Sequence, residues 1–187
     1  MLPEALLPHC APQQCPLKVS VNGGITMAQH SERKCIAKCF VAMPFGEPFD
    51  TIYNECVGPA VKSACLAPSR GDSRFRPAPI VDDICRMIQD AVILVADLTT
   101  GNQNVLYEIG LAHAIGKPVV LVAEQLTDIP FDLQSLRVLI YDKNDPFWGM
   151  KLRSKLTRAI RETLENPIES LPPMLRKLAD SEALVMR

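Results

Sequence analysis

The 187-residue chain has no long hydrophobic run: its longest apolar stretches, Ala91 to Ala96 and Pro118 to Ala123, fall far short of the roughly 20 residues that span a bilayer. No membrane segment is expected. Neither sign of charge dominates, with 20 Lys and Arg against 21 Asp and Glu, so a general electrostatic grip on nucleic acid is not expected either. The N-terminus lacks the basic-then-apolar layout of a secretory signal, and the seven cysteines are an odd number, which together read as a reduced, cytoplasmic chain with free thiols. Familiar site motifs are missing as well. No GxGxxG follows the first strand and no GxxxxGK[ST] or GxSxG occurs, which removes the standard dinucleotide, P-loop and hydrolase-elbow readings. A phosphoacceptor receiver needs an acidic pair after its first strand, where this chain has Pro44-Phe45-Gly46. Cys10, Cys15, Cys35 and Cys39 are spaced badly for a four-thiolate zinc site, so neither a metal nor a cofactor is expected.

What is present is a chain of single-domain size, 48% hydrophobic and 22% charged, long enough to bury a core without staples. Residues 1–37 stand apart: Pro3, Pro8, Pro12 and Pro16 break helices, Gly23 and Gly24 break strands, and the stretch reads as a loosely ordered extension. Met27 is an alternative start. Residues 38–166 read as one α/β domain and 167–187 as a helical appendage.

Within the domain, Cys39 to Met43 is a buried-strand candidate, followed by a helix from Phe49 to about Ser63 with a kink or break expected at Gly58-Pro59. Residues 64–79 have room for a short second strand. Ile80, Ile84, Met87 and Ile88 recur at helical spacing up to Asp90. Ala91 to Ala96 is β-branched and continuous, as expected of a central strand covered on both faces. Asn104 is the expected N-cap of the next helix and Gly116 its C′ residue. Pro118 to Ala123 and Leu136 to Tyr141 complete the strands, and Leu152, Leu156, Ile160 and Leu164 mark one face of a last helix. Strand and helix alternating in this way predict a three-layer, flavodoxin-like parallel sheet with helices on both faces.

Ligands of such sheets bind outside the carboxyl ends of the strands, which directs attention to 44–50, the arginine-bearing loop 69–78, 97–108 and 124–132. Glu108 has Val105, Leu111, Ala112 and Ile115 as helical neighbours, so its carboxylate borders an apolar stripe, in what the sequence places as the first turn of its helix. Burial would raise its pKa and the helix N-terminus would lower it; the residue is either a working carboxylate or an acid complementing the helix dipole. Asp97 either holds sugar hydroxyls or caps the following loop. His113 lies about 140° round the helix from Glu108 and reads as structural. Arg70, Arg74 and Arg76 bind phosphate or form a solvated loop. Lys151, Arg153, Lys155, Arg158 and Arg161 read as the solvated side of an amphipathic helix.

The run Asn104-Val105-Leu106-Tyr107-Glu108-Ile109-Gly110-Leu111-Ala112-His113-Ala114-Ile115-Gly116-Lys117-Pro118 resembles the nucleoside 2-deoxyribosyltransferase-like family, whose helix opens (G/N)-V-x-(F/Y)-E-(I/L)-G-x-A-x-A-x-x-K-(P/R) after a strand ending in Asp or Glu. With Phe40 to Gly46 (FVAMPFG) it is also similar to bacterial TIR-like proteins of the same architecture, and the resemblance spans about residues 38 to 142. It implies that Glu108 attacks the anomeric carbon, or stabilises its positive charge, while an N-glycosidic bond breaks. Asp97 would then hold sugar hydroxyls, Asn102 and Asn104 would line the sugar or 5′-phosphate pocket, Tyr107 would flank the nucleophile, and Phe45, Gly46 and Arg70 would contact substrate. The family also places a base-contacting aspartate in the helix before the central strand; Asp82 and Asp83 lie near that point, where alignment sets Ile84. Leu106 stands where related nucleotide hydrolases often have a small residue.

Three functions follow as expectations: cleavage or transfer at the N-glycosidic bond of a nucleoside or nucleotide, a TIR-like NAD hydrolase in stress or phage-defence signalling, and a noncatalytic nucleotide-sensing module. The resemblance further implies a homo-oligomer, since family active sites are often completed by a neighbouring subunit.

Overall fold

The computed structural model describes residues 37–71 and 80–176. The extension before Ala37, the residues Arg74 and Arg76, and the appendage beyond Arg176 lie outside the described residues. The five strands β1 (Lys38–Ala42), β2 (Ala67–Arg70), β3 (Ala91–Asp97), β4 (Val119–Ala123) and β5 (Val138–Ile140) form one parallel sheet in the order β2-β1-β3-β4-β5. Every neighbouring pair is parallel. This is the expected flavodoxin-like α/β fold.

The sheet is covered on both faces because its central strands β1, β3 and β4 are apolar over nearly their whole length, and the two-residue period divides them between two cores. Cys39 and Val41, Ile93 and Val95, and Val120 and Val122 face one core, shared with Phe49, Ile52, Cys56, Val57, Leu152, Leu156 and Ile160. Phe40 and Ala42, Leu94 and Ala96, and Val119 and Leu121 face the other, shared with Met87, Ile88, Val105, Ile109 and Ala112. The first face is therefore packed by α1 (Phe49–Ile52), α2 (Gly58–Ser63) and α5 (Trp148–Glu165), the second by α3 (Ile80–Asp90) and α4 (Gln103–Ala114). Burying each of the larger aliphatic side chains contributes about 1.5–3 kcal/mol, so the central strands carry much of the stability.

Three local expectations need correction. No break occurs at Gly58-Pro59. A π-turn, Tyr53–Val57, joins α1 to α2 instead, and the Gly58 amide donates to the Tyr53 carbonyl. In a regular helix the ring of Pro59 would clash with the carbonyl four residues earlier; widening the turn by one residue removes the clash. Gly58 suits this turn because a Cβ there would stand 3.1 Å from the Tyr53 oxygen. Second, the N-cap of α4 is Asn102 rather than Asn104: its φ of −60° and ψ of 122° are extended, and its side chain accepts from the Asn104 and Val105 amides at 3.0 and 3.3 Å. Third, Glu108 consequently sits in the second turn of α4, not the first. The other end of α4 is as expected, with Gly116 at φ +69° donating to the His113 carbonyl.

Among the described residues, no helix is long and apolar enough to cross a membrane. The basic side of α5 is solvent-exposed, and its ions are partly engaged locally, Arg161 with the Ser63 carbonyl and Arg158 with Glu162.

Candidate active site

The strand order reverses direction between β1 and β3, and the crevice outside their carboxyl ends is where open α/β sheets bind ligands. The loops after β1 and β3 border it, and α3 and α4 both begin at this end of the sheet, so their first turns overlook it from the same face.

The loop after β1 turns at Gly46, whose φ of +82° belongs to the left-handed region, and the Asp50 amide closes the turn on the Gly46 carbonyl. Phe45 stays 60% exposed at the tip. Arg70, by contrast, is only 3% exposed. One of its guanidinium nitrogens donates to the Pro44 carbonyl at 2.7 Å, another pairs with Asp50 at 2.8 Å, and the plane lies against the rings of Phe45 and Tyr53 at 4.6 and 5.1 Å. Arg70 is thus built into the wall as a brace for the β1 loop, and the expectation that it reaches a phosphate from the rim is corrected accordingly.

Asp97, the last residue of β3, is 2% exposed. One carboxylate oxygen accepts the Thr99 amide at 2.9 Å and the other accepts the Tyr141 hydroxyl at 3.3 Å. The Thr99 hydroxyl meets the same Tyr141 oxygen at 3.1 Å and accepts the Glu124 amide at 3.1 Å. Burial pushes the Asp97 pKa up, while the bonds from Thr99 and Tyr141 oppose the shift. Of the two readings open for Asp97, loop capping is the one its geometry displays. A carboxylate with both oxygens engaged and almost no exposed surface is not presented to a sugar.

The capped loop is strained. Thr100 has a φ of +68° and Gly101 one of +61°. For a β-branched residue the left-handed region costs on the order of 1–3 kcal/mol, so this turn persists because Asp97 and Thr99 hold it. It delivers Asn102 to its capping position and thereby starts α4. Asn102 uses its side-chain oxygen on the helix amides, and Asn104 is exposed. Tyr107 is 57% exposed: two residues beyond the buried Val105 it lies about 200° round the helix, on the solvent side and away from the buried stripe.

Glu108 differs from all of these. It borders the buried stripe of Val105, Ile109 and Ala112, it is half-buried, and among the described residues it has no hydrogen-bonding or ion-pairing partner. Burial without compensation pushes its pKa up to about 7. Of the two opposed effects the sequence suggested for this group, desolvation prevails, because the second turn lies beyond the strongest field of the helix N-terminus.

A second carboxylate shares this end and face. Asp83, in the first turn of α3, is 7% exposed and has one oxygen with no hydrogen-bond partner among the described residues. Ile84, at the position where the resemblance expects the family's aspartate, packs against the core on the Phe40 side. Two further residues escaped the sequence reading. Tyr141 and Glu124 directly follow β5 and β4, and a lone Tyr or Glu after a strand has no spacing that would mark it. His113 is 8% exposed, its Nε2 has no partner among the described residues, and burial lowers its pKa, in keeping with a neutral structural histidine. Cys39 is fully buried in β1, where desolvation raises its thiol to about 12, and the other three cysteines of the zinc reading lie outside the described residues.

A groove of about 590 Å³ lies elsewhere, between the start of β4, β5, α5 and the turn Pro167–Ser170. None of its lining residues belongs to α3, α4 or the loops after β1 and β3.

No family profile and no curated protein matches the sequence. Solved structures do. The chain is similar to a CMP N-glycosidase from Clostridium botulinum at 14% identity and a TM-score of 0.50, over 63% of this chain and 99% of that one. It is also similar to a 2-desoxiribosyltransferase from Leishmania mexicana at 19% identity and a TM-score of 0.42, over 48% of this chain and 65% of that one. The chain thus spans about two thirds of the Leishmania enzyme's length. At these identities the likeness to the glycosidase is one of fold.

Proposed function

We propose that the protein breaks, or transfers at, the N-glycosidic bond of a nucleoside or nucleotide, with Glu108 as the carboxylate at the anomeric carbon. The observation that carries this reading is the isolation of Glu108. It is half-buried, partnerless among the described residues and held near a pKa of about 7 at the end of the sheet where ligands of this fold bind. The fold shared with a CMP N-glycosidase supports the same chemistry.

In this mechanism the carbon–nitrogen bond breaks with its electron pair leaving on the base, and positive charge develops at the anomeric carbon. The Glu108 carboxylate approaches that carbon and either bonds to it or stabilises it as an ion. Water then adds to the carbon and loses a proton, completing hydrolysis; a second base adding in its place completes transfer. The departing nitrogen takes up a proton. On this reading Asp83, whose Oδ1 has no hydrogen-bond partner among the described residues and which lies at the same end of the same face, contacts the base, and the exposed Phe45 ring offers it a surface. Desolvation serves this site because an anion stripped of water interacts more strongly with a developing cation.

The test is incubation with nucleosides, nucleoside monophosphates and NAD, with released base or nicotinamide read by chromatography. Release from a nucleoside or monophosphate that disappears in Glu108→Gln supports the reading. Binding without cleavage would replace it with a sensing module, and nicotinamide release alone would replace it with NAD hydrolysis.

A further inference from the structure

Tyr141 is assigned no role in the chemistry just described, yet its hydroxyl sits where three strand ends meet. The ring is 4% exposed and stacks on Trp148 with centroids 5.7 Å apart. Its backbone amide continues the β5 ladder onto the Ala123 carbonyl at 3.0 Å. Those contacts account for the ring. The hydroxyl does something separate: it bonds Asp97 at the end of β3 and Thr99 in the following turn, while Thr99 accepts the amide of Glu124 at the end of β4.

The proton inventory gives these bonds a direction. The phenol has one proton, and the carboxylate oxygen of Asp97 has none to offer, so Tyr141 donates to Asp97. The Thr99 hydroxyl then donates to the Tyr141 oxygen and accepts from Glu124, and every hydroxyl in the ring is used once as donor and once as acceptor. Burial pushes the phenol pKa above its usual range, which favours the protonated donor. The next residue, Thr100, is the one at φ +68°, and two further on Asn102 caps α4.

We propose that Tyr141 is a positioning residue: its hydroxyl, through Asp97 and Thr99, holds the strained turn that starts α4 and so sets the place of Glu108 over the crevice. This rests on the reading of Glu108 as the reacting carboxylate and adds to it a residue outside the α4 motif, on the far edge of the sheet. It also explains why a tyrosine rather than a phenylalanine follows β5, since the ring packing needs no hydroxyl.

The test uses the full chain carrying Tyr141→Phe, which keeps the ring and its stacking on Trp148. Misplacing a reacting group by about 1 Å can lower turnover about 100-fold, so kcat per folded molecule should fall between tenfold and that limit, with KM within about twofold. Amide exchange of residues 99–106 should quicken while β1 and β3 stay protected. Thr99→Val should reproduce the kcat loss, and the double variant should fall no further than the worse single one, because both break one network. Trp148→Phe, which disturbs the ring stacking alone, should lower the unfolding midpoint without moving kcat. An unchanged kcat in Tyr141→Phe, or additive losses in the double variant, would overturn the proposal. If the wild type releases no base from any nucleoside or nucleotide, the glycosidase reading fails on its own. Amide exchange then decides the positioning role alone: faster exchange over 99–106 in Tyr141→Phe upholds it, and unchanged exchange ends it.

Discussion

Asp97 and Glu108 are both carboxylates close to the carboxyl end of β3, and both have pKa values raised by burial. The region around Asp97 is saturated: the Thr99 amide and the Tyr141 hydroxyl occupy its two oxygens, and only 2% of the residue is exposed. The region around Glu108 is vacant of partners among the described residues. A buried carboxylate that is fully bonded maintains architecture, whereas one that bears desolvation without a partner is a candidate for function. Under the proposed reading, the strand-end loop positions and the helix turn carries the chemistry.

The largest effect expected is on turnover. Glu108→Gln keeps the shape and removes the charge, so base release should drop by about 10³-fold or more with the fold intact, as for loss of a covalent or charge-stabilising carboxylate. Wild-type turnover in this variant would erase the distinction between the two regions. Asp97→Asn should show the opposite balance. An amide in place of the carboxylate leaves a buried donor facing the Tyr141 hydroxyl and should lower stability by about 1–3 kcal/mol. Its loss of turnover should be smaller than that of Glu108→Gln. Chemical denaturation and kinetics on the two variants side by side measure both halves of the contrast.

Next in size is the cap that links the regions. Asn102→Ala removes the acceptor for the Asn104 and Val105 amides and should lower stability by about 1 kcal/mol. Because the cap sets where α4 begins, turnover should fall about tenfold while the unfolding transition stays cooperative. A stability loss with turnover untouched would show that Glu108 is located by the packing of Val105, Ile109 and Ala112 alone.

How much of this was legible in the sequence follows from how each feature is encoded. The sheet and its two cores were legible because Ala91 to Ala96 and Pro118 to Ala123 are continuous apolar runs, and α4 was legible as a motif with Glu108 on its apolar border. The cap was displaced by two residues because Asn102 and Asn104 are chemically alike, and only the backbone angles separate them. The continuous passage through Gly58-Pro59 was hidden because a π-turn has no composition of its own. Arg70 looked like a rim cation because a sequence shows its charge and not the Asp50 and Pro44 that engage it. Tyr141 was invisible as a partner of Asp97 because the two lie on non-adjacent strands, 44 residues apart.

The smallest effect expected is also the most direct probe of the vacancy around Glu108. Its folded-state pKa is raised from 4.5 to about 7, so the folded chain holds this proton more tightly than the unfolded chain does. The resulting stabilisation is fully present below about pH 4.5 and is lost as pH rises through about 7. Asp97, also raised, adds a loss of the same sign, and His113, whose pKa is lowered, adds one of the opposite sign as pH falls below 6.5. Both remain in Glu108→Gln and cancel when variant and wild type are compared at each pH. The difference between them should therefore isolate Glu108. The variant should match the wild type near pH 4 and exceed it near pH 8, by about 1 kcal/mol once solvent screening of a half-buried group is allowed for. A gain that grows across that window marks a carboxylate kept at the expense of stability. A difference that does not change with pH would mean that Glu108 is solvated and partnered like any surface acid, and the contrast with Asp97 would lose its physical basis.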